Sequence, residues 1–119
     1  MIDTSPHPSD RPAGWLTLPD VAERLEVPVT RIKQLVRDGS LLAVRHEGNL
    51  RVPAELVADD NVLKHLPGVL TLLHDAGYND EEALRWLYTE DESLPGVPAE
   101  ALAGPLATEV KRRAQALGF

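Results

Sequence analysis

A proline and a glycine frame the stretch that leaves this chain the fewest options. Pro28 disfavours helix in the residue before it and fits only the first turn of a helix after it. Gly39 accepts the left-handed conformation that ends a helix. Between them Ile32, Leu35 and Val36 recur at offsets of three and four, while Thr30, Arg31, Lys33, Gln34 and Arg37 fall on the other side. The spacing predicts an amphipathic helix with one face in a core and the other cationic and hydrogen-bonding.

The flanking sequence builds on that helix. Trp15-Leu16-Thr17 leads into an earlier one, with Thr17 as its N-cap, Pro19 in the first turn and Asp20 three residues after the cap. Trp15 is placed to staple that entry. Val21, Ala22 and Leu25 make the stripe, and Glu26-Val27-Pro28 breaks it. Helix, tight turn and helix follow, with Ala22, Leu25, Val27, Ile32 and Leu35 closing on one another. After Gly39, Leu41-Leu42-Ala43-Val44 and Leu50-Arg51-Val52 read as two short strands around a turn at Arg45-His46-Glu47-Gly48-Asn49. Pro53 then opens a short helix from Ala54 to Val57. Residues 15–57 therefore predict a winged helix-turn-helix, and the fold class is mainly α with a small β-hairpin wing.

Residues 58–119 predict a C-terminal helical subdomain packed on it. Leu66, Val69, Leu70, Leu73 and Ala76 recur at helical spacing until Gly77. Asn79 caps the next helix with Glu82 at the capping-box position, and Ala83, Leu84, Trp86 and Leu87 follow. Glu90 to Gly96 is loop, Pro98 opens a short helix through Leu102, and Pro105 opens the last one. In that last helix Leu106, Val110, Ala114 and Leu117 are expected inward. Residues 1–14, with Pro6, Pro8, Pro12 and Gly14 among Ser, Asp and His, have too little apolar surface to offset ordering and predict a disordered tail. Thr4, Ser5 and Ser9 are its candidate phosphorylation sites.

Charge says where a partner could bind. The net charge of −7 argues against nucleic acid at face value, but the distribution decides. Pro28 to Val52 holds five cations, Arg31, Lys33, Arg37, Arg45 and Arg51, against Asp38 and Glu47. Ala54 to Val110 holds only Lys64 and Arg85 against twelve carboxylates. A local cationic face in an acidic chain favours contact with phosphates, where cations contribute most by releasing counterions. Thr30 and Gln34 offer hydrogen-bonding ends to bases, Arg31, Lys33 and Arg37 can meet phosphates or purine edges, and Arg45, His46 and Arg51 belong to the wing.

Other chemistries find little support. His7, His46, His65 and His74 are scattered without ligand spacing, so no metal is expected. No nucleophile motif or phosphate-binding glycine loop is present, so neither catalysis nor a cofactor is expected. The absence of cysteine leaves no disulfide and accords with a reducing cytoplasm. The strongly apolar windows are interrupted by Lys64, Pro67, His74 or Asp75, short of a membrane span, and Met1 to Pro12 lacks the apolar core of a secretory signal. Trp86 and Tyr78 read as core, and His74-Asp75 as a helix end.

Leu16-Thr17, Val21-Ala22, Leu25, Val27-Pro28, Ile32, Leu35-Val36, Gly39, Leu41, Ala43, Arg45, Arg51 and Val52-Pro53 together resemble the excisionase and MerR-type winged helix-turn-helix pattern. That resemblance implies that the second helix enters the major groove and the wing lies against backbone or minor groove. With Val27-Pro28-Val29, Val44-Arg45, Leu66-Pro67-Gly68-Val69-Leu70-Thr71, His74-Asp75, Gly77-Tyr78, Arg85-Trp86-Leu87, Ser93-Leu94 and Arg112-Arg113-Ala114-Gln115-Ala116, the whole chain resembles an actinobacterial group of such DNA-binding proteins. That group is related to a mycobacterial substrate of a Ser/Thr protein kinase, which implies a kinase partner for the tail. Gly77, Ala83-Leu84, Trp86-Leu87, Leu94, Gly96, Pro98 and Leu102 are similar to the toxin-binding, dimerising domain of Xre/MbcA/ParS antitoxins, though their Cro-like N-terminal domain has no counterpart here. The expectation is double-stranded DNA binding by a cytoplasmic, nucleoid-associated regulator, with a homodimer as one arrangement. The alternative is an antitoxin-like or adaptor module that holds a partner protein through its acidic half.

Overall fold

The computed structural model describes residues 12, 14–58, 61–92, 94 and 96–117. The tail expectation for residues 1–14, with its Thr4, Ser5 and Ser9, therefore lies outside the described residues except at Pro12 and Gly14. Three strands and six helices are described, in the order β1 (Trp15–Thr17), α1 (Leu18–Leu25), α2 (Val29–Arg37), β2 (Val44–His46), β3 (Asn49–Pro53), a 3₁₀ turn (Ala54–Leu56), α3 (Leu66–Asp75), α4 (Asp80–Leu87), α5 (Pro98–Ala101) and α6 (Ala107–Ala116).

Local chemistry sets the ends of α1 and α2. Thr17 Oγ1 accepts from the Asp20 amide and Asp20 Oδ2 from the Thr17 amide, both at 3.1 Å, a reciprocal box of the kind whose cap residue contributes about 1 kcal/mol. Helix α1 stops where Glu26 turns left-handed at φ 57°, its amide donating to Glu23 O at 3.3 Å and that of Val27 to Ala22 O at 3.0 Å. The same pair of bonds closes α2: Ser40 donates to Leu35 O at 2.9 Å and Gly39, at φ 79°, to Val36 O at 3.1 Å. Pro28, extended at ψ 153°, joins the two helices as the N-cap of α2.

The sheet is antiparallel in the order β1-β3-β2, with Thr17, Arg51 and Val44 in register across it. This corrects two expectations. Trp15-Leu16-Thr17 is a strand as well as a helix lead-in, because Leu16 and Thr17 find partners in Val52 and Arg51, far along the chain. The hairpin is also tighter than expected: Leu41, Leu42 and Ala43 are buried but outside any strand, and His46 pairs with Asn49. The turn is just Glu47-Gly48 at φ 54° and 86°, the pair of positive values that a type I′ turn needs to match strand twist. Ala54 donates to Gly14 O at 3.0 Å, extending the β1 edge by one residue.

One apolar cluster runs through both halves. Val21, Ile32, Val52 and Leu56 are fully buried, as are Leu66, Val69, Leu70 and Leu73 of α3. Burying each such side chain is worth about 1.5–3 kcal/mol. Helix α3 packs on α6 through the inward Ala107, Val110 and Ala114 and also touches α4, where Asn79 and Glu82 form a second capping box at 2.8 and 2.9 Å. Leu106 and Leu117, expected inward, are exposed at 38% and 36%. Leu106 is the N-cap of α6 and Leu117 its C-cap, so the periodicity overran the helix at both ends. Trp86 and Tyr78 are partly buried against the cluster. No helix among the described residues is long and apolar enough to cross a membrane.

A polar latch joins the halves. Tyr88, at the end of α4, is buried and donates through Oη to Glu55 Oε1 of the 3₁₀ turn at 2.7 Å. Burial raises its hydroxyl far above the ordinary tyrosine range, and the hydrogen bond to Glu55 and the charges of Glu55 and Glu100 add to that.

Candidate nucleic-acid interface

Helix α2 presents its polar side to solvent. Ile32 is fully buried, Val29, Leu35 and Val36 are half-buried, and Thr30, Arg31, Lys33, Gln34 and Arg37 are all exposed. At 3.6 residues per turn, Thr30, Gln34 and Arg37 run down the middle of that side, with Lys33 and Arg31 on opposite shoulders. Arg31 Nη1 donates to Gln34 Oε1 at 3.2 Å.

The wing stands beside the Lys33 shoulder. Lys33, Arg45 and Arg51 line one groove between α2 and the hairpin, floored by Val29 and the start of α1. Arg45 is exposed and donates through Nη1 to Gly48 O at 3.2 Å, which ties the side chain to the turn. Arg51 is only 28% exposed and its Nη1 lies 4.0 Å from Glu47 Oε1. His46 is placed differently: its ring stacks on Trp15 with centroids 4.3 Å apart and planes 12° from parallel, and it does not line this groove. The structure thus brings Lys33, Arg45 and Arg51 together and leaves His46 outside that group.

Two residues that sequence reasoning passed over belong to the same region. Leu50, 43% exposed, and Asn49 line the groove beside Arg45. The signal that could have found them is Glu47-Gly48 read as a two-residue turn, which moves Asn49 from the loop into the strand with Leu50 and puts both beside the wing tip.

Electrostatically, this surface gathers the cations of α2 and the wing. On α6, Arg112 and Arg113 share the one carboxylate of Glu109, at 3.2 and 3.5 Å. Among the described residues, Arg31, Lys33, Arg37 and Arg45 have no carboxylate within ion-pair distance. Their charge is available to an external anion. His74 lies 3.1 Å from Asp80, a contact between the end of α3 and the start of α4. No group of three or more potential metal ligands occurs among the described residues.

Comparison with known proteins bears on the family and the fold. Residues 8–57 match the family model described as the wHTH domain of the DNA-binding protein Rv2175c, and residues 63–118 match that of the Rv2175c C-terminal domain of unknown function. Over 115 residues the chain is 44% identical to the DNA-binding protein Rv2175c of Mycobacterium tuberculosis, covering 86% of this chain and 79% of that protein. The chain belongs to the Rv2175c family. Its fold is similar to the NMR structure of Rv2175c, with a TM-score of 0.81 and 40% identity, over 99% of this chain and 87% of that one. In Rv2175c family terms, α2 and the hairpin fall within the winged helix-turn-helix model, and α3 to α6 within the C-terminal model.

Proposed function

We propose that this Rv2175c family member binds double-stranded DNA, with α2 in the major groove and the wing along the backbone, and acts as a transcriptional regulator or nucleoid-type factor in the cytoplasm. The observation that carries the reading is the gathering of exposed cations on one surface. In a chain of net charge −7, Arg31, Lys33, Arg37 and Arg45 lie exposed together on α2 and the wing, with no carboxylate within ion-pair distance among the described residues. Thr30 and Gln34, in the middle of the exposed stripe, face base edges. Arg31, Lys33, Arg37, Arg45 and Arg51 meet phosphates or guanines, and His46 with Trp15 braces the wing. Residues 15–57 read the DNA and residues 58–119 hold that unit in place.

A Ser/Thr kinase acting on Thr4, Ser5 or Ser9 fits this reading, since each phosphate adds about −1.5 to −2 charges and opposes DNA binding. Self-association into a homodimer fits it too, because one recognition helix and one wing bury limited surface on DNA.

The test is the salt dependence of affinity for a labelled duplex. With four to five phosphate contacts, log K should fall against log salt with a slope near −4, from about 0.9 per contact. A flat dependence would refute the reading.

A further inference from the structure

Lys64 stands apart in the sequence, one of two cations among the twelve carboxylates between Ala54 and Val110. The fold puts it elsewhere. Val57 and Val62 form an antiparallel bridge, Leu63 donates to Leu56 O at 3.1 Å, and Leu66 donates to Leu63 O at 3.1 Å, so backbone bonds bracket the loop that carries Lys64. That loop lies along the shoulder of α2 opposite the wing. Lys64 and Arg31 line one groove there, with Leu35, Ser40 and Asn61, and its described lining holds no carboxylate. Lys64 is exposed, and neither cation has an ion-pair partner among the described residues.

A major groove about 12 Å wide just admits a helix about 10–12 Å across. A helix seated there has a sugar-phosphate ridge on each flank. The wing, with Lys33 and Arg45, meets one ridge. We infer that Lys64, paired with Arg31, forms a second phosphate-binding wall that grips the other ridge. This rests on the DNA-binding reading and goes further, because Lys64 falls within the C-terminal family model, for which no function is described. It gives the start of that half a direct part in binding the DNA backbone. A contact of this kind is to phosphate only, so it raises affinity on any sequence and leaves base preference unchanged.

The experiment uses the full chain and a fluorescein-labelled mixed-sequence duplex of about 20 base pairs, with anisotropy titrations from about 50 to 200 mM salt, a range over which phosphate contacts alter affinity strongly. Lys64→Ala should weaken binding roughly eightfold at 0.1 M salt and make the log-log slope shallower by about 0.9, the value of one phosphate contact. Lys64→Arg should restore both. Arg112→Ala, which removes the same formal charge from α6, is the control and should leave the slope as it was. Unchanged affinity and slope in Lys64→Ala would overturn the second wall while leaving the DNA-binding reading intact. An equal loss in Arg112→Ala would also overturn it, by tracing the effect to net charge alone. If the unmodified protein fails to bind the duplex at any salt, the underlying reading falls and this inference with it.

Discussion

Replacing Glu47 by Asn should stabilise the protein and tighten its hold on DNA, for separable reasons. Glu47 is the first residue of the wing turn, held left-handed at φ 54° before Gly48 at 86°. The left-handed region costs an ordinary L-residue about 1–2 kcal/mol, and asparagine bears it better because its side chain bonds locally. Relief of about half that cost is opposed by the loss of two contacts, to His46 at 3.8 Å and Arg51 at 4.0 Å. Both involve a carboxylate that is 71% exposed, so each contributes a few tenths of a kcal/mol at most. The net gain is about 0.5 kcal/mol, or roughly 2–4 °C in melting midpoint for a domain of this size. The charge effect is independent. A carboxylate about 7 Å from a phosphate repels it by about 0.6 kcal/mol in water, less after screening, so its removal should tighten duplex binding about two- to threefold. Glu47→Gln separates the two, since it removes the charge but keeps the strained backbone. Thermal unfolding and anisotropy titration of both variants are the assays. Tighter binding in both with a raised midpoint only in Glu47→Asn is expected; a lowered midpoint in Glu47→Asn, or weaker binding in either, would refute the reasoning.

Glu26 poses the same backbone question without the charge question. At φ 57° it ends α1, and Glu26→Gly should raise the denaturant midpoint by about 0.5–1 kcal/mol of stability, the left-handed penalty less the extra flexibility of glycine; a lower midpoint contradicts this. Tyr88→Phe should cost about 1.5–3 kcal/mol, because its hydroxyl donates to a part-buried carboxylate. It should also alter the alkaline limb of stability. The folded state holds the Tyr88 hydroxyl above its unfolded pKa of about 10, so the stability this contributes is complete below pH 10 and lost as pH rises past it. Melting midpoints above pH 10 should therefore fall less steeply in the variant, and parallel curves would contradict the assignment.

What was legible in the sequence was local. The Thr17–Asp20 and Asn79–Glu82 boxes, the Pro28 and Gly39 limits of α2, and the stripe of Leu66, Val69, Leu70 and Leu73 each depend on residues a turn or two apart, and the fold carries all of them. Strand β1 was missed because three residues are too few for an alternation pattern and because its partners lie at Arg51 to Pro53. The wing turn reads too long from sequence because the short apolar run from Leu41 to Val44 looks like a buried strand and hides the pairing of His46 with Asn49. The polar face of α2 could be read as a stripe, but not its two shoulders. That Lys33 faces the wing and Arg31 faces Lys64 depends on which loops pack to either side, which no local pattern encodes. The stack of His46 on Trp15 is equally a tertiary fact.

In the proposed function, DNA binding depends first on α2 as the reading element. Changing Arg31, Lys33 and Arg37 together to alanine leaves the buried Ile32 and both Schellman closures untouched, so far-UV circular dichroism and the melting midpoint should stay near those of the unmodified protein. Retardation of duplex DNA by that folded variant is the most direct measurement. Loss of the retarded complex, with a salt slope reduced by about three contacts, is the predicted result; retardation equal to that of the unmodified protein would contradict the assignment of α2.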